Sequence, residues 1–203
     1  MTDNSEPFEQ TFREMFRRHA AGVAIITVNY QDEPYGFTAT SVASLSAKPP
    51  RFTFNMARSS RSWPAVANTQ YLGVHMLGLE NQELAARFAR PGNRFEGNHW
   101  EIGPHGVPIL KDVAGWLVGE VQMRLSFENN AVVVVQVVDG QVGGDGSPLL
   151  YHGGAYGQPV PLDYEISRDP ARFPRRVSPP GAADGGRCFP PSAASLSCAS
   201  YVR

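Results

Sequence analysis

Three stretches of the chain carry residue types that can hold a ligand. The first is Gly36-Phe37-Thr38-Ala39-Thr40-Ser41-Val42-Ala43-Ser44-Leu45-Ser46. Extended backbone favours bulky β-branched and aromatic side chains, yet small residues and hydroxyls dominate here. Such a surface lets a flat molecule lie against the backbone, whose N–H groups can then bond the ring edge. A tight bend at a barrel corner uses the same composition, and the residues alone leave these two readings even. The second stretch is Arg58-Ser59-Ser60-Arg61-Ser62. Hydroxyls, backbone amides and two guanidinium groups converge there before an expected helix start. Helix N-termini favour anions, and arginine grips phosphate in bidentate fashion. A capped helix with solvated arginines is the plainer account of the same residues. The third is Arg87-Phe88-Ala89-Arg90 with Arg94 just beyond. These arginines can add positive charge to the same phosphate, and they are also ordinary complements to a helix C-terminus.

Other chemistries lack their residues. No Gly-x-Gly-x-x-Gly follows a strand, no Walker loop is present, and no serine sits in a nucleophile elbow. His19, His75, His99, His105 and His152 are scattered without metal-ligand spacing, so no metal site is expected. Cys188 and Cys198 both fall near the C-terminal end, which leaves the rest of the chain without a disulfide framework or thiolate site.

The elements that must position these stretches read as mostly strands. Phe8, Phe12, Met15, Phe16 and His19 keep helical spacing, which predicts an amphipathic helix over 7–20 with Ser5 and Pro7 at its start. Strands are predicted at Val23–Val28, over Gly36–Leu45 as one extended run ended by Lys48-Pro49-Pro50, and at Phe52–Met56, where buried and polar positions alternate. Ser62 is placed to cap a short helix through Ala67, and Asn81 one through Phe88. Tyr71–Leu77, Trp116–Phe127, Ala131–Val138 and Leu149–Tyr151 complete the strands, and 90–106 reads as loop. Many short strands with few short helices predict a mainly β fold, a closed antiparallel barrel with a few flanking helices. The regular βαβ alternation of a doubly wound sheet is missing.

With 203 residues, 42% of them hydrophobic, the chain can bury a sizeable core. Residues 1–6 read as a flexible N-terminus, 7–160 as one domain, and 161–203 as an extended or disordered tail rich in Pro, Gly, Ser and Ala. A net charge of −1 without a basic run argues against nucleic acid as a partner. No apolar run approaches a membrane span, and the polar start lacks a signal-peptide layout. A cytoplasmic protein is expected.

Taken together and in order, these pieces resemble the flavin reductase-like family of FMN-binding split barrels over roughly residues 10–158. The resemblance runs through Phe12-Arg13 and Ala21-Gly22-Val23-Ala24-Ile25-Ile26-Thr27, then Pro34-Tyr35-Gly36-Phe37-Thr38-Ala39-Thr40-Ser41, Ser44-Leu45-Ser46 and Pro49-Pro50. It continues through Ser59-Ser60-Arg61-Ser62-Trp63, Leu84-Ala85-Ala86-Arg87-Phe88, Phe95-Glu96-Gly97, Gly106-Val107-Pro108-Ile109-Leu110 and Pro148-Leu149-Leu150-Tyr151-His152-Gly153-Gly154-Ala155-Tyr156. It implies a homodimer that binds FMN or FAD near the subunit interface and transfers hydride from NADH or NADPH to the flavin. It also implies a monooxygenase partner supplied through diffusible reduced flavin. The flavin contacts it implies are Thr38, Ala39, Thr40, Ser41, Ser59, Ser60, Ser62, Arg87 and Phe88.

One motif departs. Between the two late strands the family usually has Gly-Asp-His, and here Glu128-Asn129-Asn130 stands there. The nicotinamide side is then left with Asn130, His152 and Tyr156. Asparagine donates and accepts hydrogen bonds but carries no charge. The expected activity is a flavin reductase, in which the cofactors supply the reactivity and the protein aligns the rings. A flavin carrier or sensor without turnover is the alternative. A related barrel using deazaflavin or haem is a third reading, and haem fits least because no histidine has a ligand context.

Overall fold

The computed structural model describes residues 6–160. Most of the N-terminal segment 1–6 and the whole tail 161–203 lie outside them.

Helix α1 (Glu6–Arg17) leads into β1 (Ala21–Gly22) and β2 (Ala24–Tyr30). A turn at Gln31-Asp32, both in left-handed backbone, returns the chain as β3 (Glu33–Ala39). Then come β4 (Ala43–Ala47), β5 (Pro50–Ala57), α2 (Trp63–Asn68), β6 (Tyr71–Met76), α3 (Gln82–Ala89), β7 (Trp100–Ile102), β8 (Pro108–Leu110), β9 (Gly115–Phe127), β10 (Asn130–Val142), β11 (Leu150–His152) and β12 (Ala155–Gly157). Short 3-10 turns at Leu79–Asn81 and Pro104–Gly106 link them.

Seven strands form one antiparallel sheet in the order β3-β2-β6-β9-β10-β5-β4. β1, β11 and β12 make a second small sheet, and β7 and β8 a ribbon. The fold is mainly β with few helices. The seven-stranded ladder does not close, and β3 and β4 are its two edges. Yet only Thr40, Ser41 and Val42 separate the end of β3 from the start of β4. Four Cα steps reach at most about 14 Å, so the sheet curls until its edges approach at that corner.

Here the structure corrects the expected single run Gly36–Leu45. It is two strands on opposite edges of the sheet, broken where Thr40–Val42 turn the corner. Periodicity could not show this, because both halves are extended and equally small in side chain. Segment 90–106 is likewise not all loop, since Trp100–Ile102 pairs with Pro108–Leu110. β10 runs on past Val138 because its register with β9 continues through two irregularities to Val142 opposite Gly115. The first helix ends at Arg17 rather than residue 20.

The alternation in β5 holds: Phe52, Phe54 and Met56 are buried with Ile26, Val28, Val66, Leu72, Val74, Val133 and Val135. A second cluster unites Val23, Ile25, Leu77, Ala85, Phe88, Leu110 and Leu149. Thus one face of α3 is bonded to the sheet by apolar contact. Fully burying a Phe or Leu stabilises by roughly 1.5–3 kcal/mol, which is why the strands beneath α3 have a single register. No helix of the described residues is long and apolar enough to cross a membrane.

Candidate flavin-binding site

The corner between the sheet edges is held by side chain to backbone bonds. The Thr38 hydroxyl donates to the Ala85 carbonyl at 2.7 Å, which ties β3 to α3. Gly36 permits the close approach of that helix: a Cβ there would lie 2.7 Å from Phe88 Cε1 and 3.0 Å from the Ile26 carbonyl oxygen. Ser41 donates to the Asn55 carbonyl at 2.9 Å and accepts from the Asn55 N–H at 3.0 Å. It acts as a one-residue strand partner for β5 at the point where the chain changes edges. The small hydroxyl residues therefore build the corner and leave open space above it.

That space is a cavity of about 440 Å3 lined by Phe37–Ser41, Asn55–Ala57, Ser60, Phe88-Ala89 and Arg94. Its size lies in the range of small-ligand sites. Ala39 is buried, Thr40 is exposed, and Phe88 is fully buried, closing the floor. The Phe88 ring packs edge-on against Phe95 with centroids 5.1 Å apart, so the floor is rigid. The residue chemistry suits a flavin: a flat ring finds small side chains and an edge strand with backbone groups to bond, and Arg94 supplies a cation at the rim.

The serine-arginine segment divides. Ser60 lines this cavity, and its hydroxyl accepts from the Ser62 N–H at 3.3 Å. Ser62 is buried and stands before α2, but its side chain makes no cap bond. This corrects the expected cap: Ser62 has helical backbone angles, φ −85° and ψ −7°, where a capping residue needs an extended one. Asn81 makes no cap either, because Oδ1 accepts from the Gly78 N–H and Nδ2 donates to the Asp112 carbonyl. Ser62 and Arg61 face a smaller neighbouring cavity of about 290 Å3, also lined by Tyr35, Gly36, Asn93 and Arg94. Ser59 is exposed on the turn and lines neither space.

Arg87 is turned to the other side of α3. It donates to the Glu96 carbonyl at 3.3 Å, approaches His99 Nδ1 at 3.5 Å, and lines a separate cavity of about 430 Å3. Arg94, and not Arg87, lines the main cavity. Its Nε donates to the Arg90 carbonyl at 3.0 Å and its Nη1 to the Gly36 carbonyl at 2.7 Å. Burial, and then the charge of Arg61, lower its pKa. Asn55, Met56, Ala57 and Arg94 line the main cavity without belonging to the expected contact set. Only Arg94 carried a signal, as a cation just beyond a helix end; the β5 residues read simply as strand.

The late-strand turn is closer than its sequence distance suggests. Asn130 is exposed at the start of β10 and opposite Ala57. The Arg58 N–H donates to the Asn129 carbonyl at 2.7 Å, and Arg58 Nη1 donates to the Glu128 carbonyl at 2.9 Å. This turn is therefore bonded to the segment that carries Ser59–Ser62. His152 is exposed on the β11–β12 hairpin. Tyr156 is half-buried against the Phe88 cluster. Burial and Tyr151 push its phenol pKa up, and Arg90 pulls it down.

His75 is structural. It is fully buried between β2 and β8, with Nδ1 3.2 Å from the Ile25 carbonyl and Nε2 accepting the Leu110 N–H at 3.0 Å. Nδ1 must then carry the proton, and the ring is neutral. Among the described residues no group of His, Cys, Asp and Glu can hold a metal ion.

Residues 16–159 match the family model described as flavin reductase like domain. An NADH:FMN oxidoreductase of Rhodococcus qingshengii is 36% identical over 157 residues, 74% of this chain and 82% of that protein. The reductase component of a 4-nitrophenol 4-monooxygenase/4-nitrocatechol 2-monooxygenase from Rhodococcus opacus is 30% identical over 151 residues, 74% and 80% of the two chains. The crystal structure of a flavin reductase domain protein from Arthrobacter sp. FB24 superposes with a TM-score of 0.77 at 82% identity, covering 78% of this chain and all of that one. With the family model spanning most of the chain and these relatives covered over most of their length, the chain belongs to the flavin reductase-like family.

Proposed function

We infer that the protein is an NAD(P)H-dependent flavin reductase that uses FMN, with FAD as the alternative flavin. The observation that carries this is the 440 Å3 cavity at the sheet corner, walled by Thr38, Ala39, Thr40, Ser41 and Ser60 over the Phe88 floor. When bound, the flavin accepts a hydride from the reduced nicotinamide and supplies the redox chemistry. The chain's own work is alignment. β3 and β5 offer a flat wall, the Thr38 and Ser41 bonds hold that wall to α3 and β5, and close packing beneath it limits motion of the ring. Ser62 borders the neighbouring cavity, whereas Ser59 and Arg87, which line neither of these two spaces, are assigned to the flavin set by the family resemblance alone. Asn130, His152 and Tyr156 form the nicotinamide side. No acid–base pair is required, since hydride passes directly between the two rings.

The same proposal includes a split barrel whose closure completes at Thr40–Val42, supported by the three-residue bridge between sheet edges. It includes a homodimer. Met123, Leu125 and Phe127 are 50%, 43% and 64% exposed and alternate along one face of β9. Val134 and Val132 stand opposite Met123 and Leu125 in register, so an apolar sheet face lies bare beside the cavity. The protein works in the cytoplasm, where its nicotinamide donor is regenerated, and feeds reduced flavin to a monooxygenase, as the role of the Rhodococcus opacus relative suggests.

The test is anaerobic mixing of protein, FMN and NADH or NADPH while following flavin absorbance. Bleaching at catalytic protein is expected with at least one nucleotide. Tight FMN retention without bleaching by either nucleotide leaves the carrier reading, which the uncharged Asn130 at the turn favours.

A further inference from the structure

We propose that Arg58 is a positioning residue for the second substrate: it pins the 128–130 turn to the edge of the flavin cavity, so that Asn130 meets the reduced nicotinamide at a fixed place. The proposal rests on the flavin-reductase reading and deepens it. It gives Arg58 a task other than holding flavin, for Arg58 borders neither the 440 Å3 nor the 290 Å3 space.

The turn needs a support of its own. Phe127 and Asn130 face each other in register, so Glu128 and Asn129 alone reverse the chain between β9 and β10. Glu128 has left-handed backbone, with φ +47°, a conformation that suits glycine and strains other residues. It stands where the family resemblance places a glycine. Residues 128–130 are all exposed, so burial does not hold the turn in shape.

Arg58 supplies that support twice. Its main-chain N–H donates to the Asn129 carbonyl at 2.7 Å, and its Nη1 donates to the Glu128 carbonyl at 2.9 Å. Both carbonyls of the turn are thus bonded to one residue. The second bond has a charged donor and is the stronger kind. The guanidinium is itself supported, since it lies over the Trp63 ring at 5.9 Å from the centroid, within reach of cation–π attraction. Trp63 packs against the main core cluster. One side chain therefore ties an exposed, strained turn to the interior.

Position argues that the tie serves the site. Ala57, the residue before Arg58, lines the flavin cavity and pairs with Asn130 in register. Ser60, just after it, lines the same cavity. Arg58 thus stands between two residues of the flavin wall while its side chain is spent on the turn. A loose turn lets Asn130 take many placements, and a second substrate must then order it on binding. Removing the side chain weakens the nicotinamide side and leaves the flavin wall intact.

The experiment compares full-length wild type with Arg58→Ala in anaerobic flavin-reduction assays, and measures FMN affinity separately by fluorescence quenching. Arg58→Ala is expected to raise the KM for the nucleotide that the wild type uses at least about fivefold, with kcat and the FMN Kd each within about twofold. The main-chain bond to Asn129 survives the substitution, so the register of β5 with β10 is kept and misfolding does not confuse the result. Arg58→Lys keeps a charged donor of similar reach and is expected to recover most of the KM. Lys111→Gln, which breaks an outlying ion pair, leaves all three constants as they are. An unchanged KM in Arg58→Ala overturns the proposal. So do equal losses of FMN and nucleotide affinity, a loss of FMN affinity alone, or an Arg58→Lys variant as impaired as Arg58→Ala. In each of these cases the wild type still reduces flavin, and the reductase reading stands. Wild type that retains FMN and is bleached by neither nucleotide overturns both.

Discussion

The flavin wall and the late hairpins lie close together in space and are built in opposite ways. In the wall, Thr38 is committed to the Ala85 backbone, Ser41 to that of Asn55, and Arg94 to those of Gly36 and Arg90. Beneath it lie fully buried residues such as Phe88 and Ile25. On the other side Asn130 and His152 are exposed and Tyr156 is half-buried. The difference teaches where the site is rigid. Under the proposed reading, the surface against which a ring would stack is fixed by folding, while the surface that would meet the second substrate is left to be completed on binding. Exposed groups can be exchanged at little cost to stability, so the departure Asn130 is tolerated where a departure at Gly36 is not.

Breaking the wall gives the largest effect. Phe88→Ala removes the ring that contacts Gly36 and Phe95, and a loss of about 3–5 kcal/mol is expected from urea unfolding. FMN affinity falls with it, because the floor of the cavity opens. A loss below about 1 kcal/mol contradicts a packed floor.

Acid tests the scaffold behind the wall. Ile25 pairs with Thr38 of β3 on one side and with His75 of β6 on the other. Burial lowers the His75 pKa from 6.5 to about 4, opposed by its bond to the Ile25 carbonyl. A group depressed on folding binds its proton more readily in the unfolded chain. Its contribution is therefore complete above pH 6.5 and is lost as pH falls towards 4, by roughly 3 kcal/mol. His75→Gln is expected to flatten this part of the stability–pH curve. An unchanged slope in the variant contradicts the assignment.

Thr38→Val keeps the side-chain shape and deletes the bond to α3. About 1 kcal/mol is expected to be lost, with α3 amides exchanging faster in hydrogen exchange while those of β10 do not. Uniform acceleration throughout the sheet argues against a local tie.

The smallest effect on stability sharpens the contrast. Asn130→His is expected to change unfolding free energy by less than about 0.5 kcal/mol and to lower the KM for NADH severalfold below pH 6.5, where imidazole gains charge. FMN affinity stays constant. If FMN affinity moves and the KM does not, Asn130 belongs to the flavin side.

Much of this was legible in local pattern. The alternation Phe52, Phe54, Met56 marked the buried face of β5, because a strand shows its neighbours every second side chain. The small residues of Gly36–Ser41 marked a place where something approaches the backbone closely, and Phe88 supplies one reason at 2.7 Å from a would-be Cβ. Spacing placed three helices to within a few residues. Cap residues were less informative, since Ser62 and Asn81 stand at helix starts but spend their polar atoms elsewhere.

What the sequence determined by itself was the set of elements and the kind of surface each can present, since these depend on neighbours a few residues apart. Only the tertiary structure decided that Gly36–Leu45 splits between opposite edges of one sheet, that Arg94 stands at the cavity while Arg87 turns away from it, and that the 128–130 turn is bonded to Arg58. Those outcomes depend on strand register and sheet curvature, which bring together residues far apart in the chain, such as Arg58 and Glu128 at 70 positions, and no local pattern carries that information.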